Sequence, residues 1–336
     1  MGEEEISIVS IANSMLIDAI LRSNSVEETD LAIRLGADVN SLNPVNVIHN
    51  GTEKTVGITP LIGSLIKSGI DPKIVKLLLE NGADPTYYKS KDRTGTIHIA
   101  SYNSTPQILD LLTKCSPVDV NIPDNDNITP LVAAITAGKT ENMRVLLDAG
   151  ADVNCGGPEK IFPVIEATKR NDEHALSVLF EYNVEVNVND AESASPLHYA
   201  AMLNNVTITK MLIRKHADLE ARDINQQTPL LRACADGKAD VAIALADAGA
   251  DVNVQDTAGM SPLMFAAKHG DNELAYHLVS KGAKTMAVNA RGFDALTYAY
   301  AQHGNEHLIS LLRDGNSSVS LQKRSETNPG NKRKVT

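Results

Sequence analysis

The chain has 336 residues, of which 43% are hydrophobic and 22% are charged, and its 31 basic and 42 acidic side chains give a formal net charge of −11. This balance is typical of a soluble folded protein with a large core. The negative charge disfavours nucleic acids and anionic membranes as partners, because both repel an acidic surface. No apolar run approaches the roughly 18 residues that a membrane-spanning helix needs, so we also expect no membrane insertion.

Residues 1–12 are an acidic lead-in for which the sequence predicts no definite structure. Residues 13–40 contain two amphipathic stretches, the first around Leu16 and Ile20 and the second around Leu31 and Leu35. Apolar residues three and four positions apart indicate two short helices.

An extended loop follows at 43–57, and it is about eleven residues longer than its counterparts further along the chain. Asn50-Gly51 stands within it between residues that favour extended structure, which predicts a two-residue β-hairpin turn. Two interpretations stay open. The hairpin is either a harmless insertion in a tolerant loop or a protruding finger that contacts a partner through His49 and Asn50.

The stretch from Thr129 to Asn154, TPLVAAITAGKTENMRVLLDAGADVN, predicts the structural unit of the chain. Thr129-Pro130 is a helix start, because threonine caps the first amides and proline needs no amide donor in the first turn. Gly138 and Gly150 each follow an amphipathic run and end a helix there. The prediction is two short antiparallel helices followed by a polar loop.

This unit recurs with a period of 33 residues. The leucine after the proline, Leu131, is matched at that spacing by Val164, Leu197, Leu230, Leu263 and Leu296. Each is followed three residues later by an alanine, and these are Ala134, Ala167, Ala200, Ala233, Ala266 and Ala299. Upstream copies occur as Ile97/Ala100, Leu61/Ser64 and Leu16/Ala19. A fixed period of this length predicts a stacked solenoid in which the alanines lie where helices cross closely.

The pattern resembles the ankyrin-repeat family. The resemblance rests on TPL or SPL at 59–61, 129–131, 195–197, 228–230 and 261–263, on SPLHYAA at 195–201, and on repeated GAD turns. It implies an all-α solenoid of about nine helix–turn–helix–β-turn units in a curved array, forming one domain over 13–315. It also implies a capping repeat at 286–315, after which the polar, basic tail 316–336 is expected to be disordered.

None of the catalytic motifs that the sequence suggests is compatible with the positions of the helices and turns in the repeats. His303 to His307 spells the H-x-x-E-H pattern of inverted zinc proteases, but Gly304 falls at a turn, which prevents both histidines from sharing one helix. Cys155 lies in a loop without a registered His or Asp partner, and glycine-rich phosphate loops are absent. His98 and His198 occupy the family's structural position, where the ring ties neighbouring loops together. We therefore predict no enzyme activity, no cofactor and no metal site.

The resemblance implies that the exposed side of each first helix and the loop tips line a shared groove. We call the positions two and five residues beyond the repeat leucine the groove-side positions. Aromatic and methionine side chains collect at these positions, and just before the helix start, in the fifth, seventh and eighth repeats. Together with the basic residues at their rim we call them the aromatic stripe: Tyr199, Met202, Arg232, Met260, Phe265, Lys268, Phe293 and Tyr298. These residues either bind a partner, as exposed aromatic anchors do, or simply pack between repeats. Acidic loop tips at Asp124, Asp126, Asp190, Glu192 and Asp223 are expected to steer a basic partner.

The function that we predict is a non-enzymatic adaptor or scaffold that binds an extended or helical segment, neutral or basic, of another protein. The alternative is a structural subunit of a large multiprotein assembly. A further possibility is a substrate role, in which loop asparagines (Asn154, Asn253 and less closely Asn40) are hydroxylated, against the simpler role of bonding to the backbone. Three widely spaced cysteines and an acidic start favour the cytoplasm or the nucleus. The sequence does not indicate an oligomeric state.

Overall fold

The structure is a computed structural model that describes residues 8–49, 52–86, 88–89, 94–115, 118–301 and 305–313. The chain divides into two compact units, Met1–Val184 and Glu185–Thr336. The tail 316–336 and the lead-in residues 1–7 lie outside the described residues.

The first unit consists of pairs of short helices with two small hairpins between them. Its helices are α1 (Ile8–Asp18), which continues into a π-helical turn (Ala19–Ser23), α2 (Val26–Arg34), α3 (Pro60–Ile66), α4 (Pro72–Glu80), α5 (Thr96–Asn103), α6 (Pro106–Thr113), α7 (Pro130–Thr136), α8 (Thr140–Asp148), α9 (Pro163–Lys169) and α10 (Glu173–Leu179).

The second unit continues the same pattern of helix pairs. Its helices are α11 (Pro196–Leu203), α12 (Val206–Arg214), α13 (Pro229–Ala235), α14 (Ala239–Asp247), α15 (Pro262–His269), α16 (Asn272–Ser280), α17 (Ala295–Ala301) and α18 at 306–313. The first and second helices of a repeat lie against each other, and the first helices of neighbouring repeats pack together within each unit.

Helices α7 and α8 begin and end where the sequence predicts. Helix α1 instead begins at Ile8, inside the lead-in 1–12 for which the sequence predicts no definite structure. The Thr129 hydroxyl accepts a hydrogen bond from the Val132 amide at 3.3 Å, and Pro130 occupies the first turn of α7. Gly138 and Gly150 have φ of 65° and 93°. A side chain other than glycine is strained at such angles, so these residues let the chain leave the helix without a steric penalty.

The repeated alanines form the seam between repeats, as predicted. Ala134, Ala167, Ala200, Ala233, Ala266 and Ala299 are completely buried. They lie on first helices that contact the first helix of a neighbouring repeat inside the same unit. Because the space between these helices is already filled, only a small side chain fits there.

Loop asparagines join the polar turns of adjacent repeats. The Asn121 amide donates to the Gly150 carbonyl oxygen at 3.2 Å and accepts from the Asp152 amide at 2.7 Å. Asn40 and Asn253 make the same pair of bonds to the next turn, with distances of 2.8 to 3.2 Å. This geometry gives the asparagines a structural role, because each satisfies two backbone groups that the turn leaves open.

Two antiparallel hairpins interrupt the helical pattern. Strand β1 (Asn43–His49) pairs with β2 (Thr52–Ile58), with Asn43 opposite Ile58 and His49 opposite Thr52. These strands confirm the hairpin expected in the long loop; the Asn50-Gly51 turn and the side chain of His49 lie outside the described residues. A second pair, β3 (Tyr88–Lys89) and β4 (Thr94–Gly95), was not predicted, because two-residue strands leave no alternating pattern.

Helices α1 and α2 expose large apolar side chains to solvent. Large hydrophobic side chains on α1 and α2 with exposures of 38 to 75% are Ile8, Val9, Ile11, Met15 and Leu31. Leu16 and Ile20 face the interior and are completely buried.

Candidate partner-binding surface

A polar residue stands at the tip of the loop before each first helix of the second unit. These loop-tip residues recur every 33 positions and are Asp190, Asp223, Asp256 and Asn289. In each, the Oδ1 atom accepts hydrogen bonds from two backbone amides of its own loop, at 2.9 to 3.0 Å. The loop is therefore held closed by one side-chain oxygen, which leaves the second polar atom available for another contact.

The second polar atom, Oδ2 of the aspartates or Nδ2 of Asn289, contacts the groove-side residue nine positions later. The Tyr199 hydroxyl donates to Asp190 Oδ2 at 2.5 Å, and the Asn289 amide donates to the Tyr298 hydroxyl at 2.7 Å. The Arg232 guanidinium lies 3.6 Å from Asp223 Oδ2. Three members of the aromatic stripe are thus held in place by the loop in front of their own helix.

Phe265 is the exception in this series. It stands nine residues after Asp256, and a phenyl ring has no group that can donate to a carboxylate. In the part of the chain that the structure describes, Asp256 Oδ1 bonds to the amides of Ala258 and Met260, and no partner is found for Asp256 Oδ2.

The tethered residues differ in charge. Burial, and then the hydrogen bond to Asp190, raise the pKa of the Tyr199 phenol well above its usual value, so it stays a neutral donor. Arg232 lies between two carboxylates, since its Nε also donates to Asp236 at 3.0 Å. Its side chain is 26% exposed, and its positive charge is compensated by Asp223 and Asp236.

The apolar members of the stripe lie at different depths. Met260 and Phe265 are each only 8% exposed. The Met260 sulfur accepts weak hydrogen bonds from the Asn289 amide at 3.4 Å and the Tyr298 hydroxyl at 3.3 Å. Met260 and Phe265 therefore fit the packing interpretation better than that of exposed anchors.

Phe293 is the large apolar side chain of the stripe that faces solvent, with 41% of its surface exposed. Its ring packs edge-to-face on Tyr298, with centroids 6.2 Å apart and planes at 81°. Met202 is half-buried and Lys268 is exposed. The structure thus brings Met260, Phe293 and Tyr298 together at one place.

The expectation of exposed acidic tips is wrong for two residues. Asp190 and Asp223 are 6% and 4% exposed, because their carboxylates are used inside their own loops. Asp126 and Glu192 are exposed, and Asp124 is half-buried. Sequence reasoning treated all five as surface charge and missed the loop-closing role. The 33-residue spacing of Asp190, Asp223 and Asp256, with Asn289 next, is the signal that could have revealed it.

The first unit presents a cavity at its groove-side positions. Ile99, Tyr102, Ala133 and Thr136 line a mostly apolar space of about 350 Å³ together with His98, Asp124 and Ile128. His98 Nε2 lies 3.0 Å from the Ile128 carbonyl oxygen, and burial lowers the pKa of its imidazole. His198 makes the equivalent contact to the Gln227 carbonyl oxygen in the second unit, also at 3.0 Å. Both histidines therefore join neighbouring loops as the family resemblance implies.

In the described ranges, no three His, Cys, Asp or Glu side chains are close enough to hold a metal ion. His303 and Gly304 of the H-x-x-E-H pattern lie outside those ranges. Burial raises the pKa of the Cys234 thiol, which disfavours a nucleophilic thiolate. Within the same residues, every helix is too short or too polar to cross a bilayer.

A sequence profile described as "Ankyrin repeats (3 copies)" matches residues 61–156, 164–256 and 248–323, which together span more than half of the chain. The chain belongs to the ankyrin-repeat family. Its fold is the all-α ankyrin solenoid, with the two hairpins as local additions. Ankyrin repeats generally mediate interactions between proteins and are typically non-enzymatic. A comparison with curated proteins found no match.

Proposed function

We propose that this ankyrin-repeat protein is a non-enzymatic adaptor or scaffold that binds an extended or helical segment of a partner protein along the aromatic stripe. The observation that carries the proposal is the position of Phe293, which is exposed yet packed against Tyr298. A few side chains, often aromatic ones, carry most of the energy of a protein interface, and an aromatic ring that is already held in one orientation is suited to that role.

The tethers to the loop tips support the proposal energetically. Tyr199, Arg232 and Tyr298 are already fixed by Asp190, Asp223 and Asn289 before any partner arrives. A partner therefore does not have to pay the full entropy of ordering these side chains. Residues whose only task is packing between repeats would not require such hydrogen bonds at the surface.

The experiment compares two exposed aromatic residues of the second unit. A random peptide display library is selected on the wild-type protein, and the enriched peptides are measured on two variants. Phe293→Ala removes the exposed anchor and is expected to weaken binding at least about tenfold. Tyr276→Ala removes a 66% exposed ring from the second helix α16 and is expected to leave binding unchanged.

Neither variant should unfold the protein, because Phe293 and Tyr276 are 41% and 66% exposed and neither fills the core. Equal losses in both variants, or no enriched peptide at all, would argue against the aromatic stripe as a binding surface. Phe265 and Met260 are unsuitable for this test, since their burial would mix stability with binding.

A structural role in a larger assembly is favoured by a different observation. The apolar side chains Ile8 and Ile11 of α1 and Leu31 of α2 are at least half exposed. Such a face is typical of a surface that another subunit covers. Co-purification with other proteins at fixed stoichiometry in high salt would support this role, and a complex that dissociates in salt would favour the adaptor. For either role we propose the cytoplasm or the nucleus as the site of action.

A further inference from the structure

The loop tip of the third repeat in the second unit differs from its neighbours in having an unused carboxylate oxygen. In the other repeats the corresponding atom forms a hydrogen bond with Tyr199 or Tyr298, or an ion pair with Arg232. At Asp256 the groove-side partner is Phe265, which cannot accept or donate a hydrogen bond. Asp256 is half-buried, and within the described residues its Oδ2 atom has neither a hydrogen bond nor an ion pair.

The charge of Asp256 is not compensated by the arginine of the preceding repeat. Arg232 already lies 3.6 Å from Asp223 and 3.0 Å from Asp236. A half-buried carboxylate attracts a cation more strongly than a fully solvated one, because fewer water molecules screen it. This part of the stripe is therefore suited to a positive group.

Apolar side chains belong to the same loop and the next one. Met260, whose amide donates to Asp256 Oδ1 at 2.9 Å, contacts Asn289 and Tyr298 through its sulfur. Phe293, packed on Tyr298, supplies the exposed ring. A carboxylate and an aromatic surface are thus presented by two consecutive loops.

We propose that the partner segment carries a lysine or arginine whose side chain pairs with Asp256 Oδ2, while a neighbouring apolar side chain of the same segment packs on Phe293. This inference rests on the proposed function and adds the chemistry of the partner. Because Oδ1 is occupied by two loop amides, only one oxygen is available. An arginine therefore cannot form a bidentate contact with both carboxylate oxygens, and lysine should pair with Asp256 as well as arginine does.

The chain itself shows how to remove the charge without damaging the loop. Asn289 occupies the equivalent position in the next repeat and keeps both amide bonds through its Oδ1, at 2.9 and 3.0 Å. Asp256→Asn should therefore preserve the loop and abolish only the negative charge. The matched control is Asp240→Asn, which makes the same change in net charge at an exposed position of α14, a second helix.

The experiment starts from random display peptides enriched on the wild-type protein. They are expected to share a lysine or arginine at a fixed distance from a large apolar residue. A synthetic copy is then titrated at about 50 mM and about 300 mM NaCl. Asp256→Asn should weaken its binding about tenfold at the lower salt and remove most of the salt dependence, whereas Asp240→Asn should stay within about twofold.

The peptide side of the pair is tested by exchanging its basic residue. Norleucine at that position should weaken binding to the wild type as much as Asp256→Asn does and cause no further loss in that variant. Lysine and arginine should differ by less than about threefold. Enriched peptides without a basic position, or equal binding to Asp256→Asn and the wild type, would overturn the inference. Both results still leave Phe293→Ala as the test of the proposed function, so the two failures are distinguishable.

Discussion

At its groove-side positions the first unit carries Ile99, Tyr102, Ala133 and Thr136, which line an apolar cavity of about 350 Å³. The second unit carries Tyr199, Arg232, Phe265 and Tyr298 at the first of these positions in successive repeats. Three of these four contact the loop tip in front of them, Tyr199 and Tyr298 through a hydrogen bond and Arg232 through an ion pair. The same helical frame thus offers an apolar recess in the first unit and, in the second, a surface whose side chains are held by loop-tip contacts. The difference between the two surfaces therefore comes from a few positions that vary between repeats and not from the fold.

The largest predicted difference between the two units is in the stability lost when an aromatic groove-side residue is replaced by alanine. Phe265→Ala in the second unit should lower the free energy of unfolding by about 3–5 kcal/mol, because it empties a packed site. Tyr102→Ala in the first unit removes a ring that is 50% exposed and should cost less than about 1 kcal/mol. Urea unfolding of both variants measures the difference. Equal costs would mean that the two surfaces do not differ in packing.

A smaller change in stability is expected when the loop-tip contact of the second unit is introduced into the first unit. Asp124 precedes Ala133 by nine residues, as Asp190 precedes Tyr199, and its Oδ1 closes the loop through the amides of Asp126 and Ile128 at 2.9 Å. Ala133→Tyr should place a hydroxyl on Asp124 and raise stability by about 0.5–1.5 kcal/mol.

Ala133→Phe is the matched control for that transfer, since it fills the same cavity without a hydroxyl. The tyrosine variant should be the more stable of the two in urea, and its new phenol should titrate above the usual range, as Tyr199 does. If the phenylalanine variant is equally stable, the loop-tip tether contributes nothing beyond filled volume.

The smallest expected effect is a pH dependence of the folding stability, to which one histidine in each unit contributes. Burial lowers the pKa of His98 in the first unit and of His198 in the second below the ordinary value of 6.5. The unfolded chain therefore binds these protons more readily, and the stability present above about pH 6.5 should decline as the pH falls through the folded-state pKa.

Replacing both histidines with glutamine tests that dependence. The variant should be less stable at pH 8, and its stability should change less between pH 6.5 and about pH 5 than that of the wild type. An unchanged slope would assign the acid sensitivity to other groups. Because both rings bond to the next loop in the same way, each single variant should remove a similar part of the slope.

Periodicity and turn chemistry were enough to predict the helix pairs, the buried alanines and the strands on either side of Asn50-Gly51. These features depend on local conformation and on side chains repeated at one spacing, and both can be read from the amino-acid sequence. The depth of Phe265 and Met260 was not predictable, because it depends on which side chains of the next repeat cover them. The roles of Asp190 and Asp223 were missed since an aspartate in a loop has the same composition signal whether it faces water or its own backbone.

The most direct test of the central claim is hydrogen–deuterium exchange of the protein with and without a peptide selected on it. The account predicts added protection in the loops at 256–260 and 289–293 and at the start of α15 and α17, where Asp256, Phe265, Phe293 and Tyr298 lie. Protection confined to the second helices α12, α14 and α16, or to the first unit, would contradict it.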